Sequence, residues 1–71
     1  MTLTVYSVIV TYDDYTEDLD NIFPTAQSAI LAAEDIINHS PDVYKVTVQE
    51  DAVTEKYGRS WRKTVITKTK E

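Results

Sequence analysis

Residues 3–12 read LTVYSVIVTY, a run built almost entirely of β-branched and aromatic residues. Such residues are enriched in β-strands, where successive side chains point to opposite faces. One face would carry Leu3, Val5, Ser7, Ile9 and Thr11. The other would carry Thr4, Tyr6, Val8, Val10 and Tyr12. Because both faces are largely apolar, the run predicts a central strand that is covered on two sides.

The next regular pattern, residues 25–38, reads TAQSAILAAEDIIN and predicts the only helix. Its apolar residues recur at helical spacing and form one stripe, Ala26, Ala29, Ile30, Ala33, Ile36 and Ile37. Thr25 suits the N-cap position, and Pro41 cannot continue a helix. Leu31 falls on the polar side, so we expect it to be partly exposed.

Two further runs alternate as strands do, VYKVTVQ at residues 43–49 and SWRKTVITKT at residues 60–69. The lysines of the second run are typical of an edge strand. Residues 50–59, which include the only glycine, predict a connection into which the arms of a long hairpin can extend.

The acidic residues 13–20 predict a turn at Asp13–Asp14, followed by a short strand near residues 18–22. The order of elements is therefore β-(β)-α-β-β. It predicts a single α+β domain over residues 1–71, with two layers. One layer is a small antiparallel sheet of three to four strands, and the other is the helix across one of its faces.

A helix of this length covers only one face of a sheet, whereas the first strand is apolar on both. We expect the helix to cover the face that carries Ile9 and to leave the face that carries Val8 uncovered by the helix. An uncovered apolar face usually marks an interaction surface. This pattern indicates a binding function rather than a chemical one.

Charge divides the chain sharply. The first 44 residues contain eight acids and no lysine or arginine, and all seven bases lie between Lys45 and Lys70 beside four acids. The net charge of −5 is therefore the sum of an acidic and a basic segment. Such an asymmetry governs the choice of partners.

The sequence does not indicate nucleophilic catalysis by a cysteine or by a histidine-based triad. The chain has no cysteine, and its one histidine, His39, has no acid at the spacing of a catalytic triad. His39 suits a capping role at the negative end of the helix dipole. Residues 13–20 lack the central glycine and closing glutamate of a calcium loop. We predict no enzymatic activity, no catalytic residue, no cofactor and no metal.

Bases and aromatics are interleaved in the C-terminal half, which favours a nucleic-acid surface as one alternative. The set comprises Lys56, Tyr57, Arg59, Trp61, Arg62, Lys63 and Lys68. The overall acidity argues against it, and these bases could instead neutralise the acidic turn within the fold. Among the large aromatics, Tyr6, Tyr44 and Trp61 are expected in the core, whereas Tyr12, Tyr15 and Tyr57 border turns.

The layout YSVIVTYDD, TAQSAILAAEDII, YKVTVQ and SWRKTVIT resembles small, acidic, cysteine-free inhibitors encoded by bacteriophages. It is similar to anti-CRISPR proteins with one helix on a small antiparallel sheet, and to phage inhibitors of uracil-DNA glycosylase. The resemblance implies a viral protein that blocks host machinery. The second family further implies that ordered carboxylates mimic DNA phosphates. The basic C-terminal half departs from a uniformly acidic mimic.

We therefore expect a non-enzymatic inhibitor or modulator that binds a host nucleic-acid-handling protein through an acidic surface. Its partner-binding residues would be Asp13, Asp14, Tyr15, Glu17, Asp18 and Asp20. The alternative is a small structural or regulatory homodimer that uses the open sheet face. With no cysteine, no long apolar run and no secretory signal, we expect a cytoplasmic protein without membrane contact.

Overall fold

The structure, a computed structural model, describes residues 2–70. In chain order, its elements are β1 (Thr2–Tyr12), β2 (Glu17–Phe23), α1 (Ala26–His39), β3 (Val43–Thr54) and β4 (Gly58–Thr69). The four strands form one open antiparallel sheet. The α+β class predicted from the sequence is confirmed. Helix α1 is neither long nor apolar enough to cross a membrane, and the described chain has no second helix.

Helix α1 lies one residue later at each end than the sequence pattern predicts. Thr25 stays in extended geometry outside the helix, and its side chain accepts a hydrogen bond from the Ser28 N–H at 3.2 Å. At the other end, the N–H of Ser40 donates to the Ile36 carbonyl at 2.9 Å. The N-cap is therefore the predicted Thr25, while His39 completes the last turn.

The sheet has the strand order β2-β1-β3-β4, so β1 and β3 are central and β4 is an edge strand, as predicted. Val8 of β1 lies between Asn21 of β2 and Val48 of β3. The β1–β2 register shifts between Val8 and Ile9, and the β3–β4 register shifts twice. Strands β3 and β4 extend through most of the expected connection to a short turn at Gly58. There a φ of 70° favours glycine, which has no Cβ.

The core lies between α1 and one face of the sheet. Val8, Val46 and Val48 are fully buried there against Ala29 and Ala33 of the helix. The helix therefore covers the face of β1 that carries Val8, which corrects our expectation that it covers the Ile9 face. The two faces of β1 are similarly apolar, so alternation alone does not identify the covered one.

The opposite side of the sheet, here called the open face, faces away from α1. It carries the side chains of Leu3, Val5, Ser7, Ile9, Thr11, Glu17, Leu19, Ile22, Lys45, Thr47, Gln49, Asp51, Val53, Arg59, Trp61, Thr64, Thr67 and Thr69. Trp61 is 60% exposed on this face, so the prediction that it is a core residue is wrong. Tyr44 is also exposed, so the same prediction is wrong for it, whereas Tyr6 packs against the core as predicted.

Candidate acidic binding site

The turn between β1 and β2 is held by its own backbone and by Asp14. The Tyr15 N–H donates to the Tyr12 carbonyl at 2.8 Å, and the Tyr12 N–H donates to the Thr16 carbonyl at 2.9 Å. The Asp14 carboxylate accepts two hydrogen bonds from Thr16, at 2.6 Å from the hydroxyl and 3.1 Å from the backbone N–H. These bonds favour the charged carboxylate, so the pKa of Asp14 lies below its usual value of 3.8.

A second loop joins this turn. The Asp13 N–H donates to the Asp42 carbonyl at 3.0 Å, which links the β1–β2 turn to the connection between α1 and β3. An open depression of about 420 Å³ lies between the two loops and is lined by Tyr12, Asp13, Asp14, Thr16, Asp18 and Asp42. We call this region the acidic end. Four of the six residues that line it are aspartates, so it attracts cationic groups.

Tyr15 presents an exposed aromatic ring beside the acidic end. The residue is 77% exposed. Its backbone has a φ of 67°, in the left-handed region that non-glycine residues rarely adopt. Its ring packs edge-on against Tyr44, with 5.9 Å between the ring centroids. A strained, exposed tyrosine in a short turn is a feature often found at binding sites.

The carboxylates of the acidic end form no ion pair with any cation of residues 2–70. The three ion pairs of lysine or arginine in this part of the chain involve other acids: Glu34 with Lys68, Glu50 with Arg62, and Asp51 with Arg59. His39 likewise contacts a different acid, Asp35. The alternative in which the basic segment neutralises the acidic turn is therefore wrong. Arg59, Arg62 and Lys68 pair across β3 and β4 or with the helix, and no lysine or arginine of residues 2–70 pairs with the acidic end.

The structure separates the six predicted partner-binding residues into two groups. Asp13, Asp14 and Asp18 line the depression, and Tyr15 belongs to the same turn. Glu17 points to the open face, because it pairs with Thr11. Asp20 has no partner on β1, because it lies at the register shift of the β1–β2 pair. The last two therefore extend the negative charge along the edge strand β2.

Sequence reasoning missed Asp42 and Tyr44, which the fold brings to the acidic end. Asp42 is distant from residues 13–18 in the sequence, and only the antiparallel pairing of β1 with β3 brings the two loops together. The sequence did contain one signal for Asp42. This residue directly follows Pro41, in the connection that must return the chain to the end of the sheet where the β1–β2 turn lies.

Residues with possible chemical roles lie elsewhere in the fold. The Nδ1 atom of His39 lies 2.9 Å from the Asp35 carbonyl and 3.1 Å from its carboxylate. This position fits the predicted capping role, because a histidine near a helix C-terminus can bind the last carbonyls. Within residues 2–70, no group of three or more histidine, aspartate or glutamate side chains is arranged to hold a metal ion.

Comparisons with known proteins do not assign the site. No protein-family model matches this chain, and no curated protein or solved structure is significantly similar to it.

Proposed function

We propose that this protein is a non-enzymatic inhibitor or modulator that binds a basic, nucleic-acid-handling protein through its acidic end. The observation that carries the proposal is the set of aspartates Asp13, Asp14, Asp18 and Asp42, brought together by two loops and the start of β2 and left without cationic partners among residues 2–70. Carboxylates that have no cationic partner are suited to a surface that normally binds phosphates.

The geometry supports a protein partner in two ways. The Asp14 carboxylate is fixed by Thr16, so part of the entropy cost of ordering it is met before binding. The Tyr15 ring is exposed next to it, and tyrosine is enriched among the residues that contribute most to protein–protein binding. A basic groove with an apolar patch would match both features.

The phage-like layout of the sequence gives this proposal its biological setting, a viral protein acting in the host cytoplasm. The inhibitor would occupy a basic groove and compete with nucleic acid for it. Nucleic-acid binding through Arg59, Arg62 and Lys63 of β4 is disfavoured, because both arginines are already paired with acids of the same chain.

The experiment is a capture assay with host proteins that bind double-stranded DNA. The immobilised protein is exposed to the DNA-binding fraction of a host lysate and then washed with a short DNA duplex. We expect a specific host protein to be retained and then displaced by the duplex. Added salt should weaken the retention, because exposed charges are screened over about 10 Å at 0.1 M.

The decisive variant combines Asp13→Lys, Asp18→Lys and Asp42→Lys, which reverses the charge and leaves the Asp14–Thr16 bonds in place. The matched control is Glu55→Lys, an exposed acid at the opposite end of the sheet. Retention should be lost only in the triple variant, with unchanged circular dichroism. Equal retention by wild type and triple variant contradicts the proposal, as does direct binding of the duplex by the wild-type protein.

A further inference from the structure

The open face carries an apolar patch that no element of the described chain covers. Leu3 is 59% exposed and Trp61 is 60% exposed, while Leu19 and Ile22 are each 41% exposed. Val5, Ile9 and Val53 lie between them and are half-buried. Large exposed apolar patches on a small domain mark interaction surfaces.

The polar groups at the centre of this face already have partners. The buried Asp51 carboxylate accepts hydrogen bonds from the Ser7 hydroxyl at 2.6 Å and the Gln49 amide at 3.0 Å. Arg59 completes the set, with its Nε atom 3.4 Å from the same carboxylate. No buried side-chain nitrogen or oxygen of residues 2–70 lacks a partner. A second copy could therefore cover the centre of this face without leaving the Asp51 carboxylate unpaired.

We propose that the open face packs against the same face of a second copy of this chain, forming a two-sheet sandwich. The area is sufficient. The strands have 11, 7, 12 and 12 residues, so at about 3.3 Å per residue and about 4.8 Å between strands they give a face of roughly 670 Å². A standard protein interface buries about 800 Å² per partner, so this face is close to the size that a stable dimer requires.

Sedimentation at micromolar concentrations tests the dimer. Leu3→Glu places a charge on the open face, and Leu31→Glu is the matched control, because Leu31 is also 59% exposed but lies on α1. We expect a wild-type dimer, a dissociation constant raised at least tenfold by Leu3→Glu, and no change with Leu31→Glu. A monomeric wild type overturns the proposal, whether or not another protein or a membrane binds the face. Equal weakening by both variants also overturns it.

This inference does not depend on the proposed function. Leu3 is not part of the acidic end, and Asp13, Asp18 and Asp42 are not part of the open face. A failed dimer test with successful capture, or the reverse, therefore shows which of the two surfaces has been assigned incorrectly.

Discussion

The hydroxyl of Ser7 donates a 2.6 Å hydrogen bond to the carboxylate of Asp51, and both side chains are fully buried on the sheet face opposite the helix. A carboxylate this well enclosed needs its hydrogen-bond donors, because burying an unpaired polar group is costly. The bond therefore ties β1 to β3 at a position where no helix contributes to the packing.

Removal of this donor is the first test. Ser7→Ala should lower the free energy of unfolding by about 1–3 kcal/mol, because a buried charged acceptor then loses a hydrogen bond. The control is Ser60→Ala, the same substitution at an exposed position of β4, for which we expect a change within about 0.5 kcal/mol. Urea denaturation measures both. Equal effects would show that the Ser7–Asp51 bond contributes nothing to stability.

The two faces of β1 should respond differently to charge. Val8 is fully buried under the helix, so Val8→Asp should leave the chain unfolded at 25 °C, since an unpaired buried charge costs several kcal/mol and small domains have little net stability. Ile9 is only half-buried on the open face, so Ile9→Asp should remain folded with a lower melting temperature. Circular dichroism melts decide the outcome. Unfolding of both variants would mean that both faces are closed.

Tyr15 allows backbone strain to be separated from ring packing. Tyr15→Ala removes the ring but keeps a side chain at a φ of 67°, whereas Tyr15→Gly removes both the ring and the steric penalty. We expect the glycine variant to be about 1 kcal/mol more stable than the alanine variant, because the left-handed region costs other residues about that much. Thermal melts measure the difference. If tyrosine is retained for binding, neither variant should capture the partner as well as the wild type.

The Asp14–Thr16 contact gives a prediction about pH. The hydroxyl of Thr16 and then its backbone N–H lower the pKa of Asp14 below 3.8. A lowered pKa in the folded state means a contribution to stability that is present above the unfolded pKa and is lost as the pH falls through the folded pKa. Thr16→Val should raise the pKa of Asp14 toward 3.8 in an NMR titration. Thr64→Val, on β4, should leave it unchanged.

Much of the architecture is encoded locally and could be predicted from sequence. Thr25 marks the start of the helix because its hydroxyl accepts from a free N–H, and the lysines of residues 60–69 indicate an edge strand. The choice of the covered face of β1 could not be predicted, because Val8 and Ile9 are equally apolar. The pairing of β1 with β3 places Val8 beside Val48 on one face, and the helix packs on that face. This pairing is part of the tertiary structure and is not visible in the pattern of β1 alone.

The candidate site was predicted only in part for the same reason. Residues 13–18 are adjacent in sequence, so their charge was evident, whereas the contribution of Asp42 depends on a hydrogen bond between two loops. The burial of Asp51 could not be predicted either, because a charged residue in an alternating strand normally indicates a solvent-exposed face. Its partners Ser7 and Arg59 come from two different neighbouring strands.

The strand order also determines when the chain can fold. Thr11 pairs with Glu17, and Thr54 pairs with Gly58, so each hairpin can close as soon as it leaves the ribosome. Thr2, in contrast, pairs with Thr54, and such distant contacts form late because the intervening chain must first be ordered. Nascent β1 therefore remains without its central neighbour until β3 has been synthesised, and during that interval its apolar residues are a target for chaperones.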